Sequence, residues 1–213
     1  MPVDLTELVA PAHTAVVTME LQRGVVGDLS SFPQLAEAAE RDGIVPTTAR
    51  VLTAARAAGV PVVHCTAAFR ADRAGTTVNC QLVAAVLRNP DHLLEGTPPT
   101  ELVPGLGALP DDLVSNRYHG VSPFSGTSLD PWLRNLGVRT VVATGVSVNL
   151  GVLGLAIEAV NLGYRVVVPR DTVSGIPADY ARDVLDHTFP LIATLTTADV
   201  LVGTWGSSGS SGP

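Results

Sequence analysis

The chain has 213 residues, 46% of them hydrophobic and only 4% aromatic, which suits one α/β domain with a core built mainly from Leu, Val and Ala. A formal charge of −7 excludes a general attraction to nucleic acid or to an acidic lipid surface. All 13 basic residues are Arg, which excludes a Schiff-base lysine, a P-loop lysine and a lysine general base.

In chain order, the acidic start "MPVDLTELVAP" lacks the basic-then-apolar pattern of a secretory signal. Short β-branched runs then recur at 14–21, 60–66, 112–116, 139–146, 164–171 and 191–197. Most are continuously apolar, as parallel strands covered on both faces require. Helix-like stretches separate them. "VPTTARVLTAARAAG" opens near a proline and ends at Gly59, "SLDPWLRNLG" ends at Gly137, and "VNLGVLGLAIEAVNLG" ends at Gly163. "PADYARDVLDHTF" precedes the last run. The alternation predicts right-handed crossovers and a three-layer α/β/α domain over 1–203. The Gly/Ser-rich end, 204–213, reads as a flexible tail. The long irregular stretch 67–111 contains the helix-like "VNCQLVAAVLR" and has the length of a lid or an oligomer contact.

The segment 140–157 is uncharged for long enough to resemble a membrane span. Its glycines and its midway change from strand-like to helix-like composition instead predict a buried strand, turn and helix. That helix, 149–162, is apolar nearly all round, so one side is expected to pack on the sheet and the other on a second subunit, giving a homo-oligomer, a dimer or tetramer. Cys65 and Cys80 have no metal-type spacing and form no disulfide framework, which fits a reducing, cytoplasmic setting.

Polar groups gather at the carboxyl ends of three strands, the usual layout of an α/β site. Glu20, Gln22 and Arg23 follow the first, Asn116, Arg117, Tyr118 and His119 the third, and Ser147 and Asn149 the fourth. Each also has a structural reading. Glu20 and Arg117 are candidates for a satisfied ion pair, His119 for a turn residue, and Ser147 and Asn149 for helix caps.

The chain resembles the isochorismatase-like hydrolases, often called cysteine hydrolases. The resemblance rests on "TAVVTMELQRG", "VPVVHCT", "SPFSGTSLDPWLRNLGVRTVVATGVSVNLGV" and "AIEAVNLGYRVVVPRDTVSG", in family order across most of 10–200. It implies a six-stranded parallel sheet ordered 3-2-1-4-5-6. It also implies a catalytic set of Asp, Lys and Cys, with a non-proline cis peptide just before the Cys. Those positions match Glu20, Arg117 (with His119 as the alternative after a one-residue gap) and Gly151. The nucleophile's place is therefore taken by a glycine. The family's isochorismatase branch also has Gly there and cleaves a vinyl ether by acid catalysis. The resemblance thus implies a Cys-independent enzyme acting on a small carbonyl or carboxylate metabolite, with Glu20 as acid/base and Arg117 as anion anchor. Gln22, Val146, Ser147 and Asn149 would orient the substrate, and Tyr118, His119 and Phe124, with Trp132, would line it. No cofactor and no metal are expected, and the partner is a small-molecule substrate rather than a nucleic acid or a membrane. The alternative is a non-catalytic member that binds a ligand.

Overall fold

The computed structural model describes residues 4–208. Its centre is a parallel sheet of β1 (Thr14–Met19), β2 (Val62–Ala67), β3 (Leu113–Arg117), β4 (Thr140–Val146), β5 (Arg165–Pro169) and β7 (Thr194–Thr196), in the order β3-β2-β1-β4-β5-β7. A two-residue strand, β6 (Val173–Ser174), pairs with the end of β4. The six longer strands reproduce the expected order, and β6 adds a seventh too short to leave a hydrophobic signature. β1, β2 and β4 are buried at every residue, which explains why they read as continuous apolar runs rather than alternating ones.

Helices cover both faces. Against one pack α3 (Pro33–Arg41), α4 (Ile44–Ala57) and α9 (Ala198–Ser208), through Leu35, Leu52, Leu201 and Trp205. Against the other pack α6 (Leu129–Asn135), α7 (Gly151–Asn161) and α8 (Ala178–Asp183), through Leu133, Leu155, Ala159 and Ala181. Shorter helices, α1 (Leu5–Leu8), α2 (Arg23–Val26) and α5 (Gln81–Val86), sit in the connections. No helix of the described residues is long and apolar enough to cross a membrane.

The tail expected from residue 204 is helical as far as 208, and residues 209–213 lie outside the described ones. Trp205 corrects that boundary. It is buried, and its indole N–H donates to the Val9 carbonyl at 2.9 Å, so Gly/Ser composition concealed an anchored helix. In α7, Val152, Leu155, Ala156 and Ala159 are buried, whereas Ile157 and Val160 are exposed.

One buried polar chain crosses the sheet face beneath α4. Thr18 contacts His64 Nδ1 at 2.8 Å, His64 Nε2 meets Asp112 at 3.1 Å, and Arg56 donates to both Asp112 oxygens at 3.0 and 2.6 Å. Burial holds the His64 ring below its ordinary titration range, with the Arg56 charge adding to this and Asp112 opposing it. His92, also buried, is pushed down to about 4 by burial and by the nearby charge of Arg73. The His92 ring is therefore neutral in the fold at pH 6, whereas in the unfolded chain a histidine protonates near pH 6.5. The unfolded state therefore binds more protons below that pH, and stability falls as pH drops from 6.5 towards 4. The expected loss is roughly 2 kcal/mol, read as lower urea midpoints at pH 4.5 than at pH 7. His92→Phe is expected to flatten the slope, and an unchanged slope would refute the assignment.

Candidate functional site

The sheet order reverses at β1, which has β2 on one side and β4 on the other. That is where an open α/β sheet leaves a crevice beyond its strand ends. Glu20 is the first residue past β1. Its φ of 51° is left-handed, uncommon for a residue with a side chain, and its N–H donates to the Cys65 carbonyl at 2.9 Å. A non-glycine residue held this way at a strand end marks a site whose surroundings dictate the backbone.

Arg117 ends β3 and reaches across β2 to Glu20, where its Nη2 donates to Oε1 of the carboxylate. Its Nε donates to the Gly120 carbonyl at 3.1 Å. Nη1 is buried and has no hydrogen-bond partner among the described residues. The pair is thus made through one oxygen and one nitrogen, and it leaves a donor in hand. The guanidinium is 7% exposed and the carboxylate 18%, so the attraction between them is far less screened than at the surface.

The third edge is the turn between β4 and α7. The Val146–Ser147 peptide is cis, at the place the resemblance implied. The Ser147 carbonyl accepts from the Leu150 and Val152 N–H groups at 3.1 and 3.0 Å, which ties the turn to the helix start. The hydroxyl of Ser147 and the side chain of Asn149 do not cap α7. Asn149 instead donates through Nδ2 to the Ile176 carbonyl at 3.1 Å, while its Oδ1 is buried without a partner.

Glu20, Arg117, Ser147, Asn149 and Gly151 all line one cavity of about 240 Å³. Its remaining wall is apolar and aromatic, supplied by Phe32, Leu35, Phe69, Val83, Leu93 and Ile176 among others, together with His92. Apart from Ile176, these residues come from the segment 32–35 at the start of α3 and from the loop 67–111, places with no site residue marked by the sequence.

Several expected site residues are placed elsewhere, and each placement has a cause. Gln22 is fully buried as a bracket: Nε2 donates to the Ala67 and Thr100 carbonyls at 2.9 Å each, and Oε1 accepts from the Ala67 N–H at 2.9 Å. None of its groups is left for a substrate. Arg117 points inward, so the next residues turn away from the cavity. The Tyr118 hydroxyl donates to Glu95 at 2.5 Å, and His119 meets the Thr77 N–H at 3.3 Å on the outer loop. This leaves Arg117, and not His119, opposite Glu20. Phe124 is buried on the far side of the sheet, stacked on Tyr164 with ring centroids 6.0 Å apart, and Trp132 packs against the same core. Val146 directs its side chain into the core, and only its peptide reaches the site. Arg23 is taken up by surface pairs with Asp28 and Glu101.

Neither cysteine offers a nucleophile to the cavity. Cys65 is buried behind the sheet and its thiol is pushed up to about 12 by burial, against the opposing charge of Arg117. Cys80 is exposed ahead of α5 and does not line the cavity.

A family model described as the isochorismatase domain matches residues 14–200. The chain is 27% identical over 198 residues to an uncharacterized isochorismatase family protein, YecD, of Escherichia coli O157:H7, covering 89% of this chain and 94% of that one. It is 28% identical to the ureidoacrylate amidohydrolase RutB of Rhizobium rhizogenes, over 81% and 74% of the two chains. Among solved structures it is similar to an isochorismatase family protein from Burkholderia thailandensis, with 29% identity, a TM-score of 0.73 and coverage of 92% and 96%.

Proposed function

We infer that this chain, which belongs to the isochorismatase family of hydrolases, hydrolyses a small carbonyl or carboxylate metabolite of the vinyl-ether type by acid/base chemistry and without a covalent intermediate. One observation carries this reading. The monodentate Glu20–Arg117 pair lines a 240 Å³ cavity, Arg117 Nη1 is buried without a partner, and the nucleophile's position is a glycine. An unsatisfied buried donor on a residue that lines an apolar cavity is what a small-molecule site requires.

In the proposed reaction Arg117 Nη1 binds the substrate carboxylate. That anion puts a second negative charge beside Glu20 and so favours the neutral acid in the complex. Glu20 then gives its proton to the terminal carbon of the enol ether, leaving an oxocarbenium ion. Water adds to the cationic carbon and Glu20 takes back a proton. The hemiketal breaks to a ketone and an alcohol, so the net change is the addition of one water. Asn149 lines the same cavity beside the reacting pair. Amide hydrolysis, the activity in the name of the Rhizobium relative, is not supported by the covalent route, because Gly151 has no attacking atom and the Cys65 thiol is held protonated.

The test is isotopic. A carboxylate-bearing vinyl ether incubated with the protein in deuterium oxide is expected to give a product methyl group carrying one deuterium, while a panel of amides and imides is left intact. Unlabelled product, or cleavage of the amides alone, would refute the mechanism. The existing contact between Glu20 and Arg117 also favours a second reading, a member that binds its ligand without turnover, and a cavity that binds the vinyl ether but never cleaves it would establish that instead. The exposed Ile157 and Val160 on the outer side of α7, with Leu162 just after it, support the further proposal of a homo-oligomer.

A further inference from the structure

Deepening that reading, and resting on it for the anchor at Arg117, the other end of the cavity indicates what the substrate must look like there. His92 is 3% exposed and makes no side-chain hydrogen bond among the described residues; its Nδ1 is buried and unpartnered. Its ring is held by packing, edge-on to Phe32 with centroids 5.4 Å apart and tilted against Phe69 at 5.8 Å. Phe69 is itself pinned to the His92 segment, since its N–H donates to the Leu93 carbonyl at 2.7 Å and its carbonyl accepts from Glu95 at 2.9 Å. All three rings line the cavity that Glu20 and Arg117 enter from the strand ends. A buried imidazole with idle nitrogens is costly unless something supplies a partner.

Charge narrows the ligand further. Among the described residues lining the cavity, Arg117 is the cation and Glu20 the carboxylate. Arg73 lies over the Phe69 ring at 5.5 Å but does not line the space. No cation lines the aromatic end to pair with a second anion. The volume corresponds to about eight waters, enough for one six-membered ring with two small substituents.

We propose that His92, with Phe32 and Phe69, forms an uncharged aromatic subsite that selects a flat-ringed monocarboxylate carrying a hydroxyl or carbonyl group away from its carboxylate, and that His92 is the specificity-determining residue reading that group. Its depressed titration, to about 4, keeps the ring neutral, so that one nitrogen donates and the other accepts at neutral pH. The aromatic walls favour stacking on a planar body, and burial makes a second carboxylate expensive there.

The test uses calorimetric titration of the full chain with benzoate, the three hydroxybenzoates and terephthalate. One hydroxybenzoate isomer is expected to bind about fivefold to tenfold more tightly than benzoate. Terephthalate is expected to bind at least about tenfold more weakly. His92→Phe should bring the preferred isomer level with benzoate. His92→Gln, which keeps a donor and an acceptor, should restore part of the preference. Should His92→Phe bind nothing, the outcome with His92→Gln decides. The proposal is overturned if benzoate does not bind the native protein, if no isomer is preferred, if terephthalate binds as well as benzoate, or if the preference survives in His92→Phe or is absent in His92→Gln. These are affinities and not turnover, so a failure of the acid chemistry at Glu20 leaves them standing, and their failure leaves the deuterium result standing.

Discussion

Glu20→Gln is expected to lower turnover of the vinyl ether by about 10²–10⁴, the usual contribution of a positioned general acid. The amide has nearly the shape of the acid, and its oxygen still accepts from Arg117, so the cavity survives. What is lost is the proton that must reach the enol ether carbon. Binding should move in the opposite direction. In the native protein a substrate carboxylate at Arg117 Nη1 lies beside the Glu20 carboxylate, which shares the same guanidinium. Removing that charge frees the cation for the ligand, and benzoate should bind about tenfold more tightly to Glu20→Gln at pH 7. Turnover that falls while affinity rises would separate a proton donor from a merely structural carboxylate, whose loss would weaken both. Glu20→Asp keeps the acid and suits the left-handed backbone better, since short polar side chains tolerate positive φ. It should retain measurable turnover, reduced by the shorter reach. Full activity in Glu20→Gln would remove the acid from the mechanism.

How much of this could be read beforehand depended on where each residue gets its partners. The six long strands were legible because central parallel strands are apolar on both faces, and β1, β2 and β4 are buried throughout. The meeting of five candidate residues at one cavity was legible for a related reason. Glu20, Arg117, Ser147, Asn149 and Gly151 follow directly from strand ends, and strand order sets where those ends meet. The aromatic wall was not legible. Phe69 and His92 lie in a loop whose contacts are long-range, and Phe32 precedes α3, whose polar "PQLAEAAER" has only Leu35, Ala38 and Ala39 to bury. No local pattern marks such residues as neighbours. Gln22 shows the converse failure. A polar side chain at a strand end looks like a ligand contact until its three hydrogen bonds are seen to hold the backbone of two other segments. Trp205 was lost in the same way, hidden in a composition that ordinarily marks a linker.

Restoring a thiol where the family carries one is expected to fail, for a steric reason that two alanine substitutions in the same helix make measurable. A Cβ built on Gly151 would lie 2.9 Å from the Val146 carbonyl oxygen and 3.1 and 3.4 Å from Cε and Cγ of Met19. Met19 is fully buried but flexible and can give way, whereas the carbonyl belongs to the peptide that shapes the turn. Gly151→Cys and Gly151→Ala should each therefore destabilise the fold by about 1–3 kcal/mol, the usual cost of overpacking. Alanine ordinarily gains up to about 1 kcal/mol over glycine inside a helix. That gain should appear at Gly154, three residues along, where a Cβ would meet Ser122 no closer than 3.5 Å. Urea midpoints that fall for Gly151→Ala and rise for Gly154→Ala would establish that the helix start has closed over the nucleophile's position. With the sulfur displaced by that crowding, Gly151→Cys should show no amide hydrolysis and no covalent adduct with an activated amide or ester. If instead Gly151→Cys is as stable as the native protein and forms such an adduct, the site would be an intact cysteine hydrolase frame lacking one atom, and the acid chemistry assigned to Glu20 would have no reason to have replaced it.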